Sequence, residues 1–245
     1  MEGMIHLVQD ATTLGSIQSK RGFKQQILLE WFEDKLKEEN RRTDQELDLG
    51  CRRFASSCAA YSVITYILGI GDRHNDNIML HKSGRLFHID FGHILGHFKS
   101  FYGIKRERAP FIMTKDFLYF ASKGKMSKTD IQKYRDYCAE LFVQLRESAY
   151  LILLPFVLMI NSGLPELQSK EDVSYIFNAI DFKLDIPEAK KIFEEKFNES
   201  CEKSWSTELN FKAHNMRIAG SVKAKTSNSQ IKNLIFDDQT EITEP

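Results

Sequence analysis

Two short stretches, GDRHNDNIML (Gly71 to Leu80) and RLFHIDFGH (Arg85 to His93), concentrate acids, amides and histidines beside short apolar runs. Their chemistry fits phosphoryl transfer, which demands positioned charge and a proton acceptor more than covalent participation by the protein. Asp72 and His74 fall in a loop, Asn77 opens the first apolar run and Asp90 closes the second. If the two runs pair as a tight hairpin, Asn77 and Asp90 stand side by side. An amide oxygen and a carboxylate on neighbouring strand ends suit Mg2+, which keeps waters and takes further ligands from substrate phosphates. An isolated DxxxxN also serves simply to cap turns. The coincidence of loop, hairpin and DFG triplet favours the metal reading. Five of the seven histidines lie between His74 and His97, which leaves open a second metal site built from His88, His93 and His97. By position His88 reads as structural and His81 as a solvated turn residue.

The elements that must hold these residues follow from hydrophobic spacing. Asn77 to Leu80 (NIML) and Leu86 to Ile89 (LFHI) are separated by His81-Lys82-Ser83-Gly84, a four-residue connection with a glycine, which is a β-hairpin signature. Upstream, Phe54 to Leu68 is rich in small residues and nearly uncharged, predicting a helix buried on most sides that stops at Gly69 and Gly71. GMIHLV opens the chain as a short β-rich run. It leads through Thr12 to Ser19 toward a helix at Gln25 to Glu38, where Ile27, Leu28, Trp31, Phe32 and Leu36 recur at helical spacing. Asn40 to Asp48 reads as a charged loop, and Gly92 to Pro110, without a clean period, as a long loop, functional or disordered. Helices are predicted at Asp130 to Glu147, Leu151 to Asn161, Lys170 to Ala179, Ile186 to Glu202 and near Thr207 to Ile218. Gly220 to Pro245 is polar enough to be disordered. The run YLILLPFVLMI, Tyr150 to Ile160, has 11 residues and contains Pro155; a bilayer span needs about 20, so it reads as a core helix.

A chain of 245 residues with 42% hydrophobic content can fill a proper core and is expected to be soluble and globular. Lys plus Arg and Asp plus Glu both number 34, so no net field draws it to nucleic acid. Cys51, Cys58, Cys138 and Cys201 are scattered without a CxxC pair, and read as buried thiols in a reducing compartment. No secretory leader opens the chain, which points to the cytoplasm.

DRHNDN followed by HIDFGH resembles the catalytic loop and metal-binding triplet of the phosphoinositide 3-kinase and related lipid-kinase superfamily. There the protein-kinase order His-Arg-Asp becomes Asp-Arg-His. The resemblance runs from about Gly3 to Ile218. It implies an α+β, mainly α-helical fold, the C-lobe of a protein-kinase-like lipid kinase, with the catalytic domain over residues 1–219 and a tail over 220–245. It also implies that Asp72, Arg73 and His74 work in the catalytic loop and that Asn77 and Asp90 hold Mg2+. His93 would help to deprotonate an inositol hydroxyl or steady the γ-phosphate of ATP, roles open to imidazole as a group that titrates near neutral pH. Which histidine is the base stays open. Met4 to Val8 match the hinge that contacts adenine through main-chain groups, with Val8 the contact. Met79 and Ile89 match the apolar residues under the purine. All three residues are equally compatible with ordinary β-core.

Members of the superfamily phosphorylate lipids or proteins, and the segment from Asp90 to Pro110 bears on the choice. Within it, GHFKSFYGIKRERAPF sets Lys99, Lys105, Arg106 and Arg108 among Phe98, Phe101 and Tyr102. Each cation could meet a headgroup phosphate through a charge-assisted bond; a solvated charged loop is the plain alternative. GIKRERAPF resembles class I phosphoinositide 3-kinases and, less closely, class II. Class I implies phosphatidylinositol 4,5-bisphosphate as substrate and its 3-hydroxyl as acceptor. It also implies a regulatory adaptor subunit and a small GTPase as partners of full-length members, and recruitment to the inner face of the plasma membrane. The helix near Thr207 to Ile218 reads as an interfacial membrane element or a plain packing helix. No glycine-rich loop or strand lysine precedes the motifs, so the chain is expected to be a C-lobe lacking its N-lobe, to bind ATP weakly and to turn over little or no lipid on its own. The competing expectation is a non-catalytic module that binds membrane or a regulatory partner.

Overall fold

The structure, a computed structural model, describes residues 4–98, 100–101, 104–105 and 109–203. The helix expected near Thr207 to Ile218 and the tail from Gly220 lie outside them. In chain order the elements are β1 (Ala11–Thr13), α1 (Leu14–Arg21), α2 (Ile27–Glu38), α3 (Asp44–Leu68), β2 (Ile78–His81), β3 (Leu86–His88), β4 (Ser100–Phe101), β5 (Ile104–Lys105), α4 (Lys115–Ala121), α5 (Lys128–Glu147), α6 (Tyr150–Leu158) and α7 (Lys170–Ile180). A further helix, α8, occupies residues 186–203. The result is the expected mainly helical fold with a small antiparallel sheet.

Helix α3 organises the rest, packing against α2, α4, α5, α7 and β3. It starts earlier than charge content predicts. Thr43 accepts the Glu46 N–H at 3.2 Å, and Asp44 and Glu46 occupy the first turn, where the helix dipole favours acids. The charged loop expected through Asp48 therefore ends at Thr43, because its TDQE is a helix start. Inside, Gly50 lets the Phe32 ring of α2 come so close that a Cβ would sit 2.1 Å from it. Phe54 stacks on Phe120 of α4 at 4.2 Å and meets Phe117 edge-on at 5.8 Å. Phe142 of α5 stacks on Phe193 of α8 at 4.9 Å, and both rings meet Tyr66 of α3. Each such ring, removed from water, contributes about 2–3 kcal/mol. The helix ends as predicted: Gly69 takes the left-handed conformation (φ 54°, ψ 45°) and its N–H caps Thr65.

The sheet has the order β1-β2-β3, antiparallel throughout. The hairpin read from sequence is present, with Ile78 opposite His88, Met79 opposite Phe87 and Leu80 opposite Leu86. Ile78, Leu80, Leu86 and His88 are buried, while Met79 and Phe87 lie on the more open face, the alternation a pleated strand imposes.

Several expectations are corrected. Residues 4–8 form no strand and are exposed; the partner of β2 is instead β1, three residues further on. Helix α1 was hidden because only Leu14 and Ile17 are apolar, too few to show a period, yet Thr13 starts it by accepting the Ser16 N–H at 3.2 Å. The aperiodic segment after the DFG triplet carries a short hairpin, β4 with β5. Helix α4 was also missed. The YLILLPFVLMI helix is not a core element: Leu153 is 8% exposed, but Leu151, Leu154 and Leu158 are 62%, 57% and 74% exposed. Its sequence is apolar all round, and only one side meets the protein. Among the described residues no single helix is long and apolar enough to cross a membrane. All four cysteines are free; three are buried and Cys201 is only partly so.

Candidate active site

The loop joining α3 to β2 and the segment leaving β3 meet, and Arg73 ties them together. Its side chain is buried, 7% exposed for the residue. Nε donates to the Gly71 carbonyl at 2.8 Å, one terminal nitrogen to the Ile89 carbonyl at 2.7 Å, and the other to the Asp90 carbonyl. The guanidinium also lies 5.7 Å from the Phe91 ring. Arg73 therefore works on backbone, as a scaffold for the loop between α3 and β2 and the DFG triplet. A planar fork with donors in fixed directions suits that task; a lysine could not make the same three contacts.

Both acids held near this clamp have left-handed backbones, Asp72 at φ 58° and Asp90 at φ 59°. Asp tolerates that region better than most side chains, and a rigid surround is needed to enforce it. The Asp72 carbonyl accepts the His74 N–H at 3.0 Å and the Asn77 amide at 3.0 Å. Because Asn77 spends its side-chain N–H there, its amide oxygen is the group left to accept a cation or donor. The Ile89 N–H donates to the Asn77 carbonyl at 3.0 Å, extending the β2–β3 ladder by one pair, and Asp90 follows directly. The exposed Asp90 carboxylate accepts the Gly92 N–H at 3.3 Å. The hairpin thus brings Asn77 and Asp90 to neighbouring strand ends.

The histidines divide by environment. His74 accepts the Asp76 N–H on Nδ1 at 3.3 Å, and its Nε2 lies 3.9 Å from the Asp72 carboxylate. Nδ1 is therefore occupied and Nε2 carries the proton. The His93 carbonyl accepts the Gly71 N–H at 2.8 Å, which hangs the residue beside the catalytic loop; its ring makes no hydrogen bond among the described residues. His88 is buried beneath β3, 4.6 Å from the Tyr61 ring and 3.5 Å from the Thr65 hydroxyl. Burial, and secondarily the Arg73 charge, push its imidazole down to about 3. His97 pairs with Asp172 at 3.2 Å. The alternative metal site of His88, His93 and His97 does not form: among the described residues no group of three His, Cys, Asp or Glu could hold an ion. His81 is partly buried and accepts the Ser83 N–H at 3.1 Å, organising the hairpin turn.

Val8, Met79 and Ile89 are none of them core. Val8 and Ile89 are exposed and Met79 is half-buried, which removes the ordinary β-core reading and leaves them free to meet a ligand. The side chains of Lys99, Lys105, Arg106 and Arg108 lie outside the described residues. Asn75 was overlooked although it sits inside the DRHNDN motif. Fully buried, it donates to Gln18 at 3.3 Å and its carbonyl accepts the Gly15 N–H at 2.9 Å, tying the catalytic loop to α1.

Residues 1–169 match the family model described as phosphatidylinositol 3- and 4-kinase. The chain is 39% identical over 225 residues to phosphatidylinositol 3-kinase 1 of Dictyostelium discoideum, covering 89% of this chain and 14% of that protein. It is 38% identical over 219 residues to phosphatidylinositol 3-kinase 3 of the same organism, covering 87% and 12%. It thus spans only about an eighth of the length of these relatives. A loop of the order Asp-Arg-His, clamped to a DFG triplet across a hairpin, now stands beside a family match over most of the chain: the chain belongs to the phosphatidylinositol 3- and 4-kinase family.

Proposed function

We propose that this chain carries the catalytic and metal-binding machinery of a phosphatidylinositol 3-kinase, transferring the γ-phosphate of ATP to the 3-hydroxyl of phosphatidylinositol 4,5-bisphosphate. The observation that carries the reading is the Arg73 clamp, which fixes the backbone of Asp90 one residue beyond the Asn77–Ile89 pair. Asn77 and Asp90 fit Mg2+, since both offer hard oxygens and neither forms a protein-only cage, the arrangement this ion prefers when phosphates complete its shell. When bound, Mg2+ supplies charge neutralisation on the transferring phosphate.

His93 is the proton acceptor of choice for the inositol hydroxyl. His74 has its acceptor nitrogen engaged by Asp76, and His88 is sealed under the sheet. His74 instead holds the catalytic loop in shape. Val8 meets adenine through its main chain, with Met79 and Ile89 beneath the purine. Lys99, Lys105, Arg106 and Arg108 recruit the headgroup phosphates, and such a substrate places the work at the inner face of the plasma membrane.

The test is phosphorylation, by the chain supplied with a lipid-kinase N-lobe, of vesicles carrying phosphatidylinositol, its 4-phosphate or its 4,5-bisphosphate, with the position of the new phosphate determined; the chain alone should form little or no product. The expected result is a 3-phosphorylated product, formed most from the bisphosphate. His93→Ala should lower kcat by about 100-fold with MgATP binding retained. Product formed only from protein substrates, or a His93→Ala variant of full activity, would contradict the reading.

A further inference from the structure

Helix α7 begins beyond the last residue of the family match, at 169, yet it holds the start of the segment that follows the DFG triplet. We propose that α7 is the clamp that fixes the root of this segment, with Tyr175 and Asp172 as positioning residues for the lipid substrate. The substrate half of the proposal rests on the headgroup-binding role given to that segment above.

Two backbones and one aromatic ring meet at the joint. After His93 the chain turns back to the end of α3, where Leu95 N–H donates to the Leu68 carbonyl at 2.7 Å and Gly96 N–H to the Gly69 carbonyl at 3.2 Å. Gly69 and Gly96 both have positive φ, 54° and 78°, and both abut the Tyr175 ring. A Cβ on Gly69 would lie 2.6 Å from one ring carbon, and a Cβ on Gly96 would lie 2.5 Å from another. The ring is therefore wedged against the root of the catalytic loop and the root of the following segment at once.

Two side-chain ties extend the grip. His97 Nε2 lies 3.2 Å from one Asp172 oxygen, while the other accepts the N–H groups of Gln168 and Ser169, each at 2.9 Å. The same carboxylate thus caps α7 and holds the segment. Phe98 then meets Tyr175 edge-on, with ring centroids 6.2 Å apart at 80°. His93 lies two residues before this joint and Lys99 one residue after it. A slip at the joint shifts the proton acceptor His93, and a small misplacement at a reacting centre is costly.

The experiment combines amide hydrogen exchange on the chain with lipid and nucleotide kinetics on the chain supplied with a lipid-kinase N-lobe, for Tyr175→Ala, Tyr175→Phe and His97→Ala. In Tyr175→Ala, exchange at Leu95 and Gly96 should accelerate about tenfold or more. Its KM for lipid should rise about fivefold with the KM for ATP unchanged. Tyr175→Phe, which keeps the ring, should restore both readouts, and the exposed His97→Ala should move them the same way by less without threatening the fold. Unchanged exchange at Leu95 and Gly96 in both Tyr175→Ala and His97→Ala would overturn the clamp. Faster exchange with lipid KM unaltered would overturn its coupling to substrate. A wild-type chain that shows no lipid kinase activity even when supplied with a lipid-kinase N-lobe would instead overturn the proposed function, while the exchange data, taken on the chain alone, still decide the clamp.

Discussion

Arg73 and His88, one from each of the two motifs, show how buried side chains take different duties. Arg73 looked catalytic in sequence because it stands between Asp72 and His74, but it faces inward and holds three carbonyls. Arg73→Lys keeps the charge and loses the fork, so divalent-ion affinity at Asn77 and Asp90 should fall by about 10- to 100-fold, as for other residues that orient ligands. Isothermal titration with Mg2+ and nucleotide measures this. His88 makes a pH prediction with a definite sign. Its folded-state pKa is depressed from 6.5 to about 3, so below 6.5 the unfolded chain takes up a proton that the folded one refuses. Stability is therefore lost as pH falls through that window, with this residue contributing up to about 1.4 kcal/mol per pH unit. Urea unfolding from pH 7 to 4 should show a shallower slope for His88→Asn. The residue types were legible because phosphoryl transfer restricts them tightly. Their orientations were not, because no spacing rule says which way a side chain turns from a loop.

At the scale of elements, what could be read depended on whether the signal was local. The hairpin and the Gly69 stop were legible from turn chemistry and glycine. The start of α3 was readable too, in TDQE, but the density of charged residues over Asn40 to Asp48 masked it. Thr43→Ala should cost about 1 kcal/mol in chemical denaturation. Helix α6 failed for a different reason: hydrophobicity marks a surface that avoids water and does not say what covers it. Its two faces should respond differently to substitution. Leu153→Ala should destabilise by about 2–5 kcal/mol, while Leu151→Ser should stay within about 0.5 kcal/mol of the wild type. Equal losses from both would place the helix in the core after all.

The whole molecule combines zero formal charge, a sequence pI near 7.1 and exposed apolar residues at 4–8 and along α6. Low net charge together with an exposed apolar surface favours association. Sedimentation velocity should show concentration-dependent self-association near pH 7 that weakens at pH 9 and in Leu151→Glu/Leu158→Glu. A strict monomer at every concentration would count against it. The most direct test of the central claim, that the hairpin presents Asn77 and Asp90 to one divalent ion, is electron paramagnetic resonance of Mn2+ with the whole chain and ATP. Wild-type protein should bind the metal–nucleotide complex with an altered spectrum, and Asn77→Ala and Asp90→Asn should each weaken it by about tenfold or more. Spectra and affinities unchanged in both variants would contradict the account.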